Sequence, residues 1–330
     1  MRRAYDVHGM TLEIAGDDDA PIDVLDVYLA PFLTEPRSAP GYTIEFVRGV
    51  VAARPEGELI YDGELLPAVA AQVLQAVDGR WYWLPNRLSI WLGGRCRARM
   101  TVDPGCDRDV LTYAAIHVLD AAFKMNGQFL IHGAALVMPG DEPRALLLLA
   151  PSGRGKTTTA LALALSGYAL MTDDAIIAGC PQNGEGKTCY AWGLPRALKV
   201  HHETARLLPA IAPLLGAVWD QNGEQVLTGD VLARVATVVP ARRFTVGAVG
   251  VLGPRTADAH LIVPLAKSAA LQALAEDNVF HAPSGVPSDQ LARFEVLSVL
   301  VRNMPTFEIR VGPNLSTLAA ALSPTLAVGS

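Results

Sequence analysis

The sequence lacks several features that would each fix a function class. No run of apolar residues approaches the ~18 needed to span a bilayer as a helix. The N-terminal Met1-Arg2-Arg3-Ala4-Tyr5-Asp6 is not followed by the apolar stretch of a signal peptide. These two absences predict a cytoplasmic protein with no membrane partner. No C-x-x-C occurs among the four cysteines, Cys96, Cys106, Cys180 and Cys189, and the chain is too long to need cross-links, so all four are expected as reduced thiols. His201-His202-Glu203 lacks the H-E-x-x-H arrangement, so no zinc is assigned. There is no internal repeat and no low-complexity tract. Charged residues reach only 18%, against about 25% in typical soluble proteins. The net charge of -6 argues against non-specific nucleic-acid binding, since a dedicated duplex-DNA binder is normally basic, and leaves only a local basic site open.

What is present is apolar content, 51% over 330 residues, enough for a large core and for two domains at ~150 residues each. The pattern predicts an α/β protein divided near residue 105: a smaller mixed α+β domain over 1–104 and a larger α/β domain over 105–330. In the first, Thr11–Ile14, Thr43–Val47, Trp81–Leu84 and Leu88–Leu92 alternate as strands, Ile22–Phe32 reads as a helix or a loosely packed segment, and Leu66–Val77 has helical spacing. In the second, Asp109–Lys124 is helical, Phe129–Val137 is a strand, and Ala145–Leu149 is a continuous apolar run of the kind buried on both faces. Ala270–Asn303 reads as helices covering the core.

That buried strand runs into Ala150-Pro151-Ser152-Gly153-Arg154-Gly155-Lys156-Thr157 and then a helix, Thr157–Leu165. Strand, glycine loop and helix form the context of a phosphate-binding loop. Gly153 and Gly155 admit backbone conformations closed to residues with a Cβ, which turns the N–H groups of the loop toward phosphate oxygens. The helix N-terminus adds positive potential. Ser152, Gly153, Arg154, Gly155, Lys156, Thr157 and Thr158 are therefore the candidate nucleotide contacts, with Lys156 on the β/γ-phosphates and Thr157 on Mg²⁺. The other Gly-Lys-Thr, Gly186-Lys187-Thr188, follows no buried strand and reads as a hairpin tip.

Asp173 and Asp174 stand 17 and 18 residues after Lys156, at the end of an apolar strand, where ligands gather in α/β sheets. Two adjacent carboxylates repel in a dry site unless a cation relieves one of them. The pair thus suits phosphoryl transfer, one member on metal and one on a proton. His132, in Leu130-Ile131-His132-Gly133, reads either as a satisfied core residue or as a phosphate or carboxylate contact. Arg196 and Lys199 are candidates for binding phosphate or an acidic substrate. Arg242 and Arg243 are candidates for a transition-state arginine or plain surface, and Arg95, Arg97 and Arg99 for an anion-binding face or an exposed edge.

His132-Gly133, the Gly153-Arg154-Gly155-Lys156-Thr157 loop, Gly167-Tyr168 and Asp173-Asp174, in this order, resemble the catalytic domain of the HPr kinase/phosphorylase family. They are most similar to its HPr-kinase-related kinases, which include those of peptide-modification gene clusters. The likeness is strong over 130–178 and extends weakly through Trp192–Lys199 and Pro305–Ile309. It implies a P-loop kinase core of the HPr kinase and phosphoenolpyruvate carboxykinase type, with ATP and Mg²⁺ as cofactors. It also implies phosphorylation of a hydroxyl, most often serine in a protein or peptide. Carried over residue by residue, Lys156 holds phosphate and Thr157 the metal, one of Asp173 and Asp174 is the base while the other supports the metal, Asp173 being favoured as the base and Asp174 as the metal support, and His132 is the active-site histidine. The chain departs from the bifunctional members at Thr158, where they have Glu, and in Gly193-Leu194-Pro195-Arg196, which replaces their signature segment. Phosphorolysis and HPr as acceptor are accordingly not carried over. A homo-oligomer stays open, as do two other readings, a small-molecule hydroxyl kinase and a non-catalytic ATP-sensing protein. Residues 1–104 and the loops after 178 are the candidates for acceptor recognition.

Overall fold

In the computed structural model the chain is mixed α/β, with two large mixed sheets. The structure describes residues 1–17, 19–36, 39–51, 53–66, 69–94, 96–151, 153–180, 188–280 and 287–327. It divides into two units. One comprises Met1–Gln128 with the described part of Ala282–Gln290, the other Phe129–His281 and Leu291–Ser330.

The first unit holds nine strands, β1 (Arg2–Val7), β2 (Met10–Gly16), β3 (Leu33–Thr34), β4 (Tyr42–Arg48), β5 (Glu58–Leu66), β6 (Val69–Gln75), β7 (Gly79–Leu84), β8 (Leu88–Gly93) and β9 (Arg97–Val102). They form one sheet in the order β3-β1-β2-β4-β9-β8-β7-β6-β5. Alternation decides its faces: Tyr42, Ile44 and Phe46 are buried while Glu45 is exposed. Helix α1 (Asp19–Leu29) sinks Ile22, Leu25 and Leu29 into this core, the spacing of one helical face. Helix α2 (Arg108–Lys124) packs on α1 and on β8.

Two expectations change here. The helix expected over Leu66–Val77 is replaced by β6 over Val69–Gln75, residues 67 and 68 lying outside the described residues. Ala71 and Val73 are buried there, and Val73 pairs with Tyr82 in the β6–β7 ladder. Leu66, Ala70, Val73 and Val77 also fit a helical face, and alanine suits either period, so the ladder decided. The second change is the boundary. Helix α2 buries Val110, Ala114 and Val118 within the first unit, so the division falls after Gln128 rather than near 105.

The second unit contains β10 (Gln128–His132), β11 (Ala134–Val137), β12 (Ala145–Leu149), β13 (Ala169–Thr172), β14 (Ala175–Gly179), β15 (Tyr190–Gly193), β16 (Leu198–His201), β17 (Glu224–Leu227), β18 (Phe244–Leu252), β19 (Leu261–Pro264) and β20 (Thr306–Arg310). Its helices are α3 (Lys156–Ala164), α4 (His202–Leu207), α5 (Gly229–Leu232), α6 (Lys267–Ala275), α7 (Pro287–Asn303) and α8 (Leu318–Ala327), with a π-helical turn at Glu276–Phe280. The sheet runs β10-β14-β15-β18-β12-β11-β13, with β20 and β19 continuing from β18. The expected single strand over 129–137 is broken at Gly133, and its halves take separate places in that order. β12 is buried along its whole length, as its apolar run predicts. It lies parallel to β18 and antiparallel to β11, which is in turn antiparallel to β13. Strands β12, β13 and β18 therefore point the same way and end at one edge. β16 and α4 pack over α3, whose Leu161 and Leu163 join Val200, Leu227 and Leu318 in the core.

The cysteines also depart from expectation. Cys180 and Cys189 form a disulfide, while Cys96 and Cys106 are free thiols. The β14–β15 ladder explains it. Ile176 pairs with Gly193 and Gly179 with Tyr190, so the next step in register brings Cys180 opposite Cys189. The hairpin tip read at Gly186-Lys187-Thr188 lies, up to residue 187, outside the described residues. Thiol counting on the denatured chain should find two reactive groups before reduction and four after; four before reduction would exclude the bond. Gly193 offers a second test. A Cβ there would lie 2.2 Å from the carbonyl oxygen of Met171 and 2.6 Å from its carbon, backbone atoms that cannot swing away. Gly193→Ala should destabilise the fold by about 1–3 kcal/mol or more in urea unfolding.

Candidate active site

The glycine loop leaves β12 and enters α3. Gly153 and Gly155 have φ of 76° and 88°, the left-handed region that a side chain with a Cβ resists. Gly155 caps α3 without a side-chain hydrogen bond, so the first N–H groups of the helix stay available to an anion. Lys156 is buried, and its Nζ donates to the carbonyl of Ala150 at 2.6 Å. Burial lowers its pKa from the usual value, against the opposing charges of Asp277, Asp174 and Asp173.

Asp173 and Asp174 follow β13 in a bend shaped by Thr172, whose hydroxyl accepts from the Ala175 N–H at 3.2 Å. Gly133 donates its N–H to the Asp174 carbonyl at 3.1 Å, which ties the bend to the end of β10. The two side chains then diverge. Thr157 Oγ1 donates to Asp173 Oδ2 at 3.1 Å. Asp174 takes His132 Nδ1 at 2.8 Å on one oxygen and Arg196 on the other.

Their electrostatics diverge as well. Asp173 is 6% exposed. Its pKa is raised to about 6, first by burial and then by the charge of Asp174. Burial would raise Asp174 too, but the hydrogen bond from His132 and the charge of Arg196 outweigh it and hold the group at about 2. An ionised carboxylate only accepts. The Nδ1 of His132 must therefore carry the hydrogen, and in the neutral tautomer with that hydrogen the lone pair is on Nε2.

These groups line a cavity of about 940 Å³. Gly153, Arg154, Gly155, Lys156, Thr157 and Thr158 are on its wall, with His132, Asp173, Asp174, Arg196 and Lys199. Ser152 lies outside the described residues. Three of these residues have partners of their own. The threonine of the loop pairs with Asp173, not with Asp174. Thr158 turns its hydroxyl to Thr204 of α4 at 2.7 Å. Lys199 is exposed and faces Glu224 at 3.7 Å. Arg242 and Arg243 lie over the rings of Phe244 and Tyr190. In the first unit Arg99 pairs with Glu45, and Arg95 is outside the described residues. No group of three metal-ligating side chains occurs among the described residues.

Sequence reasoning missed Arg255, which lines the cavity just past the end of β18. The rule that led to the acid pair, a polar group where a buried strand ends, applies there equally. It also missed Asn278, whose Oδ1 accepts from the His132 N–H at 2.6 Å. Nothing local marks that residue.

The residues present fit a divalent cation with a phosphate chain. Asp173 is a buried carboxylate that forms no ion pair among the described residues, next to the Thr157 hydroxyl, and the open loop glycines carry no atom within 4 Å of a Cβ position. Because the folded pKa of Asp173 lies above its unfolded value, its contribution to stability is full below pH 4 and is lost as pH rises through about 6. Asp173→Asn should therefore be more stable than the parent chain at pH 7, by up to about 3 kcal/mol. That advantage should shrink toward zero near pH 4. Denaturation at the two pH values measures this, and equal stability at pH 7 would contradict it.

No family model matches the chain, and no curated protein does. Among solved structures the chain is similar to the Hpr(Ser) kinase/phosphatase from Coxiella burnetii, at 14% identity and a TM-score of 0.31, covering 60% of this chain and 96% of that one.

Proposed function

We propose that the chain is a magnesium- and ATP-dependent phosphotransferase acting on a hydroxyl, serine of a peptide or protein in the first place. The observation that carries this reading is the pairing of Thr157 with Asp173 beside that of His132 with Asp174, both on the wall that holds the glycine loop. The first pair suits metal and the second a proton. This exchanges the roles of the two acids read from the sequence. The raised pKa of Asp173 supports the exchange, since an unrelieved buried carboxylate is what a dication neutralises.

Magnesium bound with the nucleotide would supply charge neutralisation at the phosphate oxygens and at Asp173. Lys156 and the N–H groups of the loop bind the β- and γ-phosphates. Thr157 and Asp173 hold the metal. Asp174 keeps the hydrogen of His132 on Nδ1 and so leaves Nε2 to accept the proton of the hydroxyl. The hydroxyl oxygen bonds to the γ-phosphorus, the bond from that phosphorus to the bridging oxygen breaks, and ADP leaves with the electron pair. Arg196 fixes the second oxygen of Asp174. Serine as acceptor comes from the motif resemblance.

The test is ATP turnover with magnesium, with and without serine peptides and small hydroxyl compounds. Lys156→Ala should weaken nucleotide binding at least about tenfold in calorimetry. His132→Ala and Asp174→Asn should lower turnover by about 10²–10⁴-fold and leave binding intact. Transfer only to small compounds would replace the peptide reading. Binding without any turnover would identify an ATP sensor, and full turnover in both variants would overturn the site.

A further inference from the structure

β10 ends the order of the second sheet, so one of its edges has no neighbouring strand among the described residues. Residues two apart on a strand direct their N–H and C=O groups to the same edge. Gly133 donates to Asp174 on the inner side. Leu130 and His132 therefore face outward, and side chains meet both. Arg293 of α7 donates to the Leu130 carbonyl at 2.6 Å, and Asn278 accepts from the His132 N–H at 2.6 Å. Arg293 and Asn278 are 6% and 3% exposed. Asn278 is itself fixed, since its Nδ2 donates to the Leu274 carbonyl at 3.0 Å.

We infer that Asn278, in the π-helical turn Glu276–Phe280, is a positioning residue for His132. Together with Arg293 it meets the outward backbone groups of β10 and holds the backbone from which the imidazole reaches Asp174. This rests on the assignment of proton acceptance to His132. A π-turn, a single i→i+5 step wider than the α-helix, is frequent at functional sites. Here the same turn carries Asp277, whose charge acts on Lys156, so one element bears on both the phosphate side and the proton side. An amide is the suitable chemistry for the task. It offers an acceptor to the N–H of His132 and a donor to Leu274, and it adds no charge beside the acid pair.

Two measurements on the full chain test this. Hydrogen exchange reads the bond directly: in Asn278→Ala the His132 amide should exchange at least about tenfold faster, with core amides of β12 unchanged. Turnover reads its purpose. Asn278→Ala should lower kcat on the order of 10–100-fold with the nucleotide KM little changed, and should cost less than about twofold in a His132→Ala background, because the residue acts through that side chain. Unchanged exchange at His132, or an equal loss in both backgrounds, would overturn the inference. Should Asn278→Ala fail to fold, Asn278→Ser, whose hydroxyl falls short of the amide, is read the same way. The exchange result stands without any turnover. If Asp174→Asn and His132→Ala prove fully active while exchange responds, the function assigned to His132 fails and the structural role of Asn278 survives.

Discussion

The second unit depends on keeping two neighbouring carboxylates electrically distinct. Adjacent in the chain, Asp173 and Asp174 would otherwise compete for one proton in a largely buried site. The fold separates them by giving each its own partners. Thr157, a neutral hydroxyl, meets Asp173. An imidazole and a guanidinium meet Asp174. One acid is left wanting a cation and the other is already satisfied. This asymmetry is built on strand direction, because β12, β13 and β18 end at the same edge. It is also built on close backbone approach, since β15 passes Met171 where only Gly193 fits and then delivers Arg196.

The loop and the acid pair were legible in the sequence because each is a short run with its chemistry written in consecutive residues. β12 was legible for a similar reason: five apolar residues in a row describe a strand covered on both sides. What could not be read was pairing. Leu66–Val77 satisfies two periods at once, and only the ladder with β7 chose between them. Helix α2 was recognised as a helix, but the sheet it covers was a matter of tertiary packing. The bond between Cys180 and Cys189 follows from register, which the count and spacing of cysteines do not contain.

The division of labour within the acid pair was left open by the sequence, with Asp173 favoured as the base, and the exchange proposed above rests on Thr157 meeting Asp173 and His132 meeting Asp174. Which carboxylate turns toward Thr157 depends on side-chain direction in a bend, and composition says nothing of that. Asn278 is the extreme case. It is 146 residues from His132 in the chain, and it sits among alanines and acids that look like an ordinary helix. Arg255 was within reach, since Phe244–Leu252 is a largely apolar run that fits a buried strand and the residues that follow such a strand are where polar groups collect.

The sulfur bridge lies at the far end of the β14–β15 hairpin, whereas Asp174 and Arg196 flank its near end. Four backbone pairs stand between them, from Gly179–Tyr190 to Ile176–Gly193. A reducing milieu would slacken the outer reach of this ribbon and leave its root knitted. The acid and its guanidinium thereby keep their grip in either redox climate, with the ladder serving as a buffer against the compartment around it.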